Sequence, residues 1–440
     1  MSRPTPARRA AYETLRRVFE DGAWADRALR SAASRLGVDG RERAQAQALA
    51  YGAVQRRGTS DHFAALLAER RIERIDPPLR AALRLGLFEL LWSEGADHAA
   101  VDQAVSLAKG PGGRRRGAGL VNAVLRRAAR ERDELLAGLG DDDPASAALM
   151  HSVPGWLADL WWEELGAGDA RSLLAAINTP AERAFRVADG DVKGFLERAP
   201  LRASAASAGP EPAPGGLVVV KSGDWAWVEA AISRGELVPQ SSASAAVVEL
   251  LAPRPGERVL DLCAGPGIKA SAIAASLGDG GSGLVAVERD PGRAAELREL
   301  LQRTGGAGAR VVEADASEPA PGDGFDAVLV DPPCSGLGTL ASRPDARWRR
   351  SPEDIATMAA LAASILARGL EAARPGGRVV YSTCTISRAE NEAVAGAAVA
   401  PLADLGAGYP GLASPHDPRC LQTRPDRDGT DGFFIAALAP

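Results

Sequence analysis

The chain has little cysteine, histidine, lysine or aromatic residue. Its 440 residues include four cysteines and four histidines, and aromatic residues make up 5%. The cysteines, Cys263, Cys334, Cys384 and Cys420, form no C-x-x-C pair and do not group with the histidines, which argues against a zinc site or a disulfide scaffold. No uninterrupted apolar run approaches the roughly 20 residues that span a bilayer, and the N-terminus lacks the apolar core of a signal peptide. We therefore expect a cytoplasmic protein without membrane segment or bound metal.

Charge is unevenly distributed along the chain. The net charge is -5, but residues 1–130 hold 24 Lys and Arg against 14 Asp and Glu, and the remainder holds 28 against 43. A basic N-terminal part on an acidic body suggests a polyanionic partner. Arginine abundance throughout the chain is the alternative explanation, although it accounts less well for the asymmetry. A chain of this length and composition predicts several globular domains.

Residues 1–135 show only helical periodicity, which predicts a helical bundle domain. The apolar positions recur in 11–19, 44–54, 62–67, 79–92, 99–107 and 120–129. A glycine-rich basic loop at 109–116 precedes the last of these helices. Its Arg114, Arg115 and Arg116 are suited to phosphate contacts with RNA, or are simply a solvated surface.

Residues 136–235 are predicted to form a small α/β connector. It contains a helical stretch rich in tryptophan, which we interpret as packing residues, and a strand near Phe185. Residues 199–216, rich in Ala, Ser, Pro and Gly, are interpreted as a surface loop.

From residue 236 to the end, strands and helices alternate as in a doubly wound parallel sheet. The predicted strands end in VLDLCAG, LVAVERD, RVVEAD, DAVLVDPP and RVVYSTC, and DGFFIAAL adds a late antiparallel edge strand. Cys334 follows one strand and Cys384 follows the next, with a helix between them. Because such a crossover places neighbouring parallel strands with their carboxyl ends on one edge, the two thiols should face one crevice.

A glycine-rich turn follows the first strand of this domain, in VLDLCAGPGIKA at 259–270. Acidic residues follow the next three strands, namely Glu288, Asp315 and Asp331. An acid after the second strand can accept hydrogen bonds from ribose hydroxyls. A dinucleotide site is the alternative, but the G-x-G-x-x-G spacing is absent, and S-adenosylmethionine fits the turn better.

These motifs together resemble the RsmB/NOP family of S-adenosylmethionine-dependent RNA (cytosine-5) methyltransferases. DLCAGPGIKA resembles the family's DLCAAPGGKT, DPPCSGLGTL its fourth motif and YSTCTISRAENE its sixth. The runs AYGAVQRRGTSDHFAALL, LRAALRLGLFELLW, HAAVDQAVSLAK and GLVNAVLRR resemble the NusB-type domain that opens one branch of that family. The resemblance implies a NusB-like domain (1–135), the connector (136–235), a Rossmann-like class I methyltransferase domain (236–440) and 16S rRNA as the substrate.

The resemblance also implies roles for individual residues. The cofactor site would comprise Cys263, Ala264, Gly265, Pro266, Gly267, Ile268, Lys269, Glu288, Arg293, Asp315 and Asp331. Gly265, Ile268 and Ala270 stand where the family pattern has Ala, Gly and Thr. Cys384 would attack carbon 6 of cytosine so that carbon 5 becomes nucleophilic, and Cys334 would aid release of the product. Asp331 would act at ring nitrogen 3, at the cofactor, or at both.

The basic run at 343–350 offers Arg343 and Trp348 as contacts to RNA phosphate and a flipped base, or as a solvated loop with a packed tryptophan. Two other functions compete with the first: a noncatalytic RNA-binding assembly factor, and an RNA or DNA exocyclic-amine methyltransferase. The amine enzymes of this sheet type carry an aromatic residue where this chain has Cys334, which favours carbon as the acceptor. We expect a monomer.

Overall fold

The computed structural model describes residues 3–110, 117–205 and 216–440, which form two compact units. Unit 1 comprises Met1–Thr179 and Leu340–Arg349, and unit 2 comprises Pro180–Thr339 and Arg350–Pro440. The predicted boundaries near residues 135 and 235 do not coincide with Thr179, and the three-domain division stays a prediction. Arg114, Arg115 and Arg116, the predicted RNA contacts of the basic loop, lie outside the described residues.

The main part of unit 1 is helical. The helices are α1 (Pro6–Glu20), α2 (Ala25–Leu36), α3 (Gly40–Gln55), α4 (Arg57–Ala68), α5 (Pro77–Trp92), α6 (Asp97–Lys109), α7 (Ala118–Arg130), α8 (Arg132–Ala137), α9 (Pro144–His151), α10 (Gly155–Leu165) and α11 (Ala167–Ala176). Helix α1 begins at Pro6, ahead of the predicted apolar period at 11–19, because the Thr5 hydroxyl accepts a hydrogen bond from the Arg8 N–H and proline occupies the first turn.

The core of unit 1 consists of small and branched aliphatic side chains around α5. Helices α3 and α5 approach closely at Gly52, where a Cβ would lie 2.0 Å from the ring of Phe88. Only glycine fits this contact without displacing the ring. Helix α2 was not predicted, because four of the five residues on its buried face are alanines, which carry little apolar surface.

Residues 340–349 follow the PPC motif in sequence but belong to unit 1. Their 3₁₀ helix, Pro344–Trp348, buries Arg347 completely. The Arg347 guanidinium donates to the carbonyls of Ser152, Ile177 and Leu340 and to the amide oxygen of Asn178, at 2.9–3.3 Å. A buried guanidinium with four acceptors anchors this segment firmly.

Unit 2 begins with an antiparallel four-stranded sheet of order β2-β3-β1-β4. Its elements are β1 (Ala184–Val187), α12 (Val192–Arg198), β2 (Leu201–Ala205), β3 (Leu217–Gly223), α13 (Trp225–Ser233) and β4 (Leu237–Pro239). The strand near Phe185 is therefore present. The surface loop predicted over residues 199–216 is wrong at its start, because residues 201–205 form β2 and pair with β3.

The second sheet of unit 2 has seven strands in the order β10-β11-β9-β8-β5-β6-β7. Its elements are α14 (Ser242–Leu251), β5 (Val259–Asp261), α15 (Ile268–Leu277), β6 (Leu284–Glu288), α16 (Pro291–Arg303), β7 (Arg310–Glu313), β8 (Phe325–Val330), α17 (Pro352–Ala372), β9 (Ala373–Thr383), α18 (Glu392–Gly396), β10 (Leu421–Gln422), α19 (Pro425–Asp428) and β11 (Phe434–Leu438). Strands β5 to β9 are parallel, and β11 runs antiparallel to β9. The predicted parallel sheet with an added antiparallel strand is confirmed, but the prediction that this strand forms the edge is wrong, because β10 pairs with β11 and lies outside it.

Helix α17 joins the two strands that carry the cysteine motifs. It is long and apolar enough to cross a bilayer by length and composition, although no single apolar run in the sequence reaches that length. Its Ile365, Leu366 and Leu370 are buried in a core shared with β8 and β9. Helix α17 is therefore the crossover helix between β8 and β9, and its apolar face is explained by this packing.

Candidate active site

The two cysteine motifs meet at the carboxyl ends of neighbouring parallel strands. Strands β8 and β9 pair with Val330 opposite Tyr381. Cys334 and Cys384 follow these strand ends, and their Sγ atoms are 3.2 Å apart, which is a hydrogen-bonding distance and not a disulfide bond. Both side chains are half-buried. The topology alone brings together two thiols that are fifty residues apart in the sequence.

The two thiols differ in their electrostatic surroundings. The pKa of Cys334 is raised well above its ordinary value, first by its hydrogen bond to Cys384 and then by burial. Cys334 therefore holds its proton more tightly than an isolated thiol does. Burial lowers the pKa of Lys269, but Asp331 and then Cys384 more than compensate, so the Lys269 pKa is raised and its ammonium is retained. A persistent cation near Cys384 favours a thiolate there.

Asp331 connects the cysteines to the glycine-rich turn. Its Oδ2 accepts a hydrogen bond from Lys269 Nζ at 2.8 Å, and its Oδ1 accepts one from the Ser382 hydroxyl at 2.8 Å. The Lys269 ammonium also lies 4.9 Å from the centroid of the Phe433 ring. With both oxygens engaged, the Asp331 carboxylate is held in one orientation beside the cysteine pair.

A buried carboxylate that the sequence analysis missed fixes the Cys334 loop. Glu390 is fully buried and accepts hydrogen bonds from the Ser335 N–H at 2.7 Å and the Ser335 hydroxyl at 2.5 Å. Ser335 and Thr385, the residues after the two cysteines, are joined through their hydroxyls at 2.7 Å. Burial raises the pKa of Glu390, while the hydrogen bonds from Ser335 oppose that shift. Glu390 thus ties both cysteine loops to each other.

Arg350 also holds the backbone of the Cys334 loop. Its guanidinium donates to the Ser335 carbonyl at 2.9 Å and to the Cys334 carbonyl at 3.4 Å. Gly338 donates its N–H to the Cys384 carbonyl, and a Cβ on Gly338 would lie 1.9 Å from the Gly432 carbonyl oxygen. The loop therefore has little freedom to move the sulfur of Cys334.

The glycine-rich turn lies between β5 and α15, as predicted. Gly267 has φ +111° and precedes α15, whose first turn has no side-chain cap. A Cβ on Gly265 would lie 2.0 Å from Oε2 of Glu288, so a side chain there would compete with this carboxylate for space. Uncapped N–H groups and a close backbone approach suit an anionic or polar ligand group at this turn.

The other predicted cofactor residues surround the same turn. Glu288 lies at the end of β6, 3.6 Å from Arg293, and the Arg293 guanidinium donates to the Gly265 carbonyl. Asp315 follows β7, and hydrogen bonds from the Ser317 N–H and hydroxyl lower its pKa. Burial raises the pKa of Cys263. Of the other residues in the turn, Ala264 is buried, Ile268 is half-buried and Pro266 is exposed.

Asp261 is a second site residue that the sequence analysis missed. It ends β5, is 1% exposed, and accepts the Cys263 N–H through Oδ1 at 3.3 Å. Among the described residues no group donates to its Oδ2. Burial, followed by the neighbouring Asp331, raises the pKa of Asp261 to about 7. The available signal was an acid at the end of an apolar strand directly before a glycine-rich turn.

The remaining predicted RNA contacts lie in unit 1. Arg343 is exposed. Trp348 is half-buried, and its indole N–H donates to the Val54 carbonyl at 2.8 Å. Its ring also lies 5.0 Å from the guanidinium of Arg57. Trp348 is thus packed within its unit, and its predicted role in contacting a base stays a prediction.

Comparison with known proteins agrees with this arrangement. The profile of the family described as 16S rRNA methyltransferase RsmB/F matches residues 248–439, and that of the NusB family matches residues 5–130. A putative methyltransferase of Mycobacterium tuberculosis is 38% identical over 98% of this chain and 96% of its own length. Ribosomal RNA small subunit methyltransferase B of Thermus thermophilus is 36% identical over 90% of this chain and 89% of its own length.

The fold has a close match among solved structures. The crystal structure of PH0851 covers 100% of both chains with a TM-score of 0.78 at 22% identity. Fold and site together define a methyltransferase that uses S-adenosylmethionine and acts on ribosomal RNA. More specifically, the chain belongs to the RsmB/F family of 16S rRNA methyltransferases, with an N-terminal NusB domain.

The residues of this chain fit S-adenosylmethionine. The unpaired Oδ2 of Asp261 is an acceptor suited to the ammonium of the methionine part, and Glu288 at the end of β6 is placed for the ribose hydroxyls. The uncapped first turn of α15 suits its carboxylate.

Proposed function

We propose that this enzyme methylates carbon 5 of a cytosine in 16S rRNA through a covalent adduct with Cys384. The observation that carries the proposal is the 3.2 Å approach of the two sulfur atoms beside the Asp331–Lys269 pair. A thiol pair has no evident use in transfer to an exocyclic amine. Carbon 5 is a poor nucleophile, and a thiolate added to carbon 6 makes it reactive.

Cys384 is the proposed nucleophile because the charge distribution favours a thiolate on that sulfur. Cys334 remains protonated and hydrogen-bonded to it, and Lys269 supplies the nearby cation. Attack forms a bond from Sγ of Cys384 to carbon 6. The electron pair of the C5=C6 bond moves towards carbon 4 and places negative charge on ring nitrogen 3. Asp331, held by Lys269 and Ser382, is proposed to position the base at ring nitrogen 3, and the Lys269 ammonium beside it offsets the negative charge that develops there.

When bound, S-adenosylmethionine would supply an electrophilic methyl group to carbon 5, with S-adenosylhomocysteine as the leaving group. The carbon 5 proton must then leave, and Cys334 is the proposed base. Once Cys384 is bonded to carbon, Cys334 loses the interaction that raises its pKa most, namely its hydrogen bond to Cys384. The thiol proton of Cys334 can then pass to solvent, and the resulting thiolate accepts the carbon 5 proton, directly or through water. The C6–S bond breaks and returns the thiolate to Cys384.

Product analysis tests the position of the methyl group. The purified enzyme is incubated with unmodified 16S rRNA, and the digested nucleosides are identified by mass spectrometry. We expect 5-methylcytidine from the wild type and none from Cys384→Ala. Methyl on nitrogen 4 would favour the amine alternative, and no methylated nucleoside despite S-adenosylmethionine binding would favour a noncatalytic assembly factor.

We also propose that the enzyme acts in the cytoplasm as a monomer.

A further inference from the structure

Unit 1 contains a cavity lined by arginine and aromatic side chains, separate from the cysteine pair. Its volume is about 250 Å³, the space of roughly eight water molecules. It lies among α1, α4, α5 and the 3₁₀ helix Pro344–Trp348. The residues that give it its character are Phe19, Arg57, Arg80, Arg84, Trp348 and Arg349.

The arginines of this cavity outnumber the carboxylates that pair with them. Arg84 is buried and binds Asp61 with both of its donor nitrogens, at 2.7 and 2.8 Å. Arg57 reaches the same carboxylate only at 3.6 Å. The side chain of Arg80 makes no hydrogen bond or ion pair within the described part of the chain, and its Nε is buried. Arg57 and Arg84 therefore share one carboxylate, and the Arg80 guanidinium has none among the described residues.

The acidic residues that line the cavity do not neutralise this excess. Glu20 is paired with Arg16 at 2.6 Å, and Asp345 is paired with Arg349 at 2.9 Å. Burial and the charges of Arg84 and Arg80 lower the pKa of Arg57, opposed by Asp61. These like charges are held together in a partly desolvated cavity with fewer carboxylates than guanidinium groups to balance them.

Aromatic rings fix the guanidinium groups in place. Arg57 lies 4.8 Å from the centroid of Phe19 and 5.0 Å from that of Trp348, and Arg84 lies 4.6 Å from the centroid of Phe19. A guanidinium stacked on aromatic faces keeps its N–H edge available and loses little side-chain entropy when it binds an oxyanion. Phosphate is the anion whose geometry the arginine fork matches.

We propose that this cavity binds a backbone phosphate of the RNA substrate through Arg57 and Arg80. The proposal depends on RNA being the substrate, but not on the carbon 5 chemistry. RNA is favoured over a small phosphate compound because the cavity lies in the basic part of the chain, where charge already indicates a polyanion. Binding adds the missing counter-ion and needs no change in the Arg84–Asp61 pair.

The test compares Arg80→Met with Arg41→Met in the full-length protein. Arg80 has no ion pair among the described residues, so its removal leaves no carboxylate unpaired, and Arg41 is an exposed arginine of the same unit. Binding of a 16S rRNA fragment is measured by fluorescence anisotropy over a range of salt concentrations. We expect Arg80→Met to weaken binding about tenfold and to reduce the salt slope by about 0.7 to 0.9. Arg41→Met should retain the wild-type slope.

Two further measurements keep the proposal falsifiable. Thermal unfolding of Arg80→Met without RNA should occur at or above the wild-type temperature, because a like charge is removed; if the variant unfolds early, Arg57→Met replaces it. Titration with inorganic phosphate, followed by phosphorus NMR, tests for a free phosphate site. A salt slope unchanged in both Arg80→Met and Arg57→Met overturns the proposal. If Arg80→Met or Arg57→Met no longer binds inorganic phosphate but keeps the wild-type salt slope for RNA, the assignment of the cavity to an RNA phosphate is overturned.

Discussion

The affinity for S-adenosylmethionine should depend on pH through Asp261. In the cofactor-free protein the pKa of this carboxyl is about 7, because the side chain is buried and lies near Asp331 and Glu288; Lys269 and the hydrogen bond from the Cys263 N–H oppose this shift only in part. Its unpaired oxygen can hold the cofactor's ammonium only when the carboxyl is ionised. Binding below pH 7 must therefore release a proton, and affinity should rise with pH.

The size of this effect follows from the fraction of Asp261 that is ionised. With a pKa of about 7, roughly one tenth is ionised at pH 6 and about 3% at pH 5.5. The apparent Kd should therefore be about tenfold weaker at pH 6, and about thirtyfold weaker at pH 5.5, than on the plateau above pH 7. The cofactor's amino group, with a pKa of roughly 7.7 to 8, stays largely protonated over this range.

Isothermal titration calorimetry from pH 5.5 to 7.5 measures both the Kd and the proton release. Asp261→Asn should bind more weakly at pH 7.5 and show a nearly flat profile. Asp315→Asn is the matched control: hydrogen bonds from Ser317 hold the Asp315 pKa below its usual range, so this variant should weaken binding about equally at every pH. If the wild type and Asp261→Asn have parallel profiles, the assignment of Asp261 to the ammonium is refuted.

The loops around the cysteines give further expectations. Glu390→Ala should lower the free energy of unfolding by about 3 kcal/mol, because two buried donors of Ser335 lose their acceptor, whereas Glu390→Gln keeps an acceptor and should cost less; chemical denaturation measures both. Equal losses in the two variants would contradict this account. Arg350→Met should reduce kcat on the order of tenfold while the KM for S-adenosylmethionine changes little, because it loosens the Cys334 carbonyl without touching the cofactor turn. A change in that KM alone would show that Arg350 acts elsewhere.

The sequence predicted the catalytic sheet because its signals are local. Each apolar strand ends in a turn or an acid, and the spacing of the two cysteine motifs leaves room for one crossover helix. That topology was enough to predict that Cys334 and Cys384 would meet. The glycine-rich turn was recognised for the same reason, since its residues lie within one short segment.

The parts that were missed depend on contacts between distant positions. Glu390 appears in sequence as one acid in a polar stretch, and only the fold shows that it binds Ser335, 55 residues away. The segment 340–349 resembles an exposed basic loop, yet three of the four acceptors of Arg347 lie 169 to 195 residues earlier in the chain. Strand β2 was missed because its Ala and Ser composition is that of the loop that follows it.

Trapping the adduct tests the central claim most directly. Cys334→Ala is incubated with 16S rRNA and S-adenosylmethionine, resolved under denaturing conditions, and the protein–RNA species is mapped by peptide mass spectrometry. We predict a covalent species attached at Cys384, which does not form in a Cys334→Ala and Cys384→Ala double variant. Absence of any adduct, together with full methylation by Cys384→Ala, would contradict the proposed mechanism.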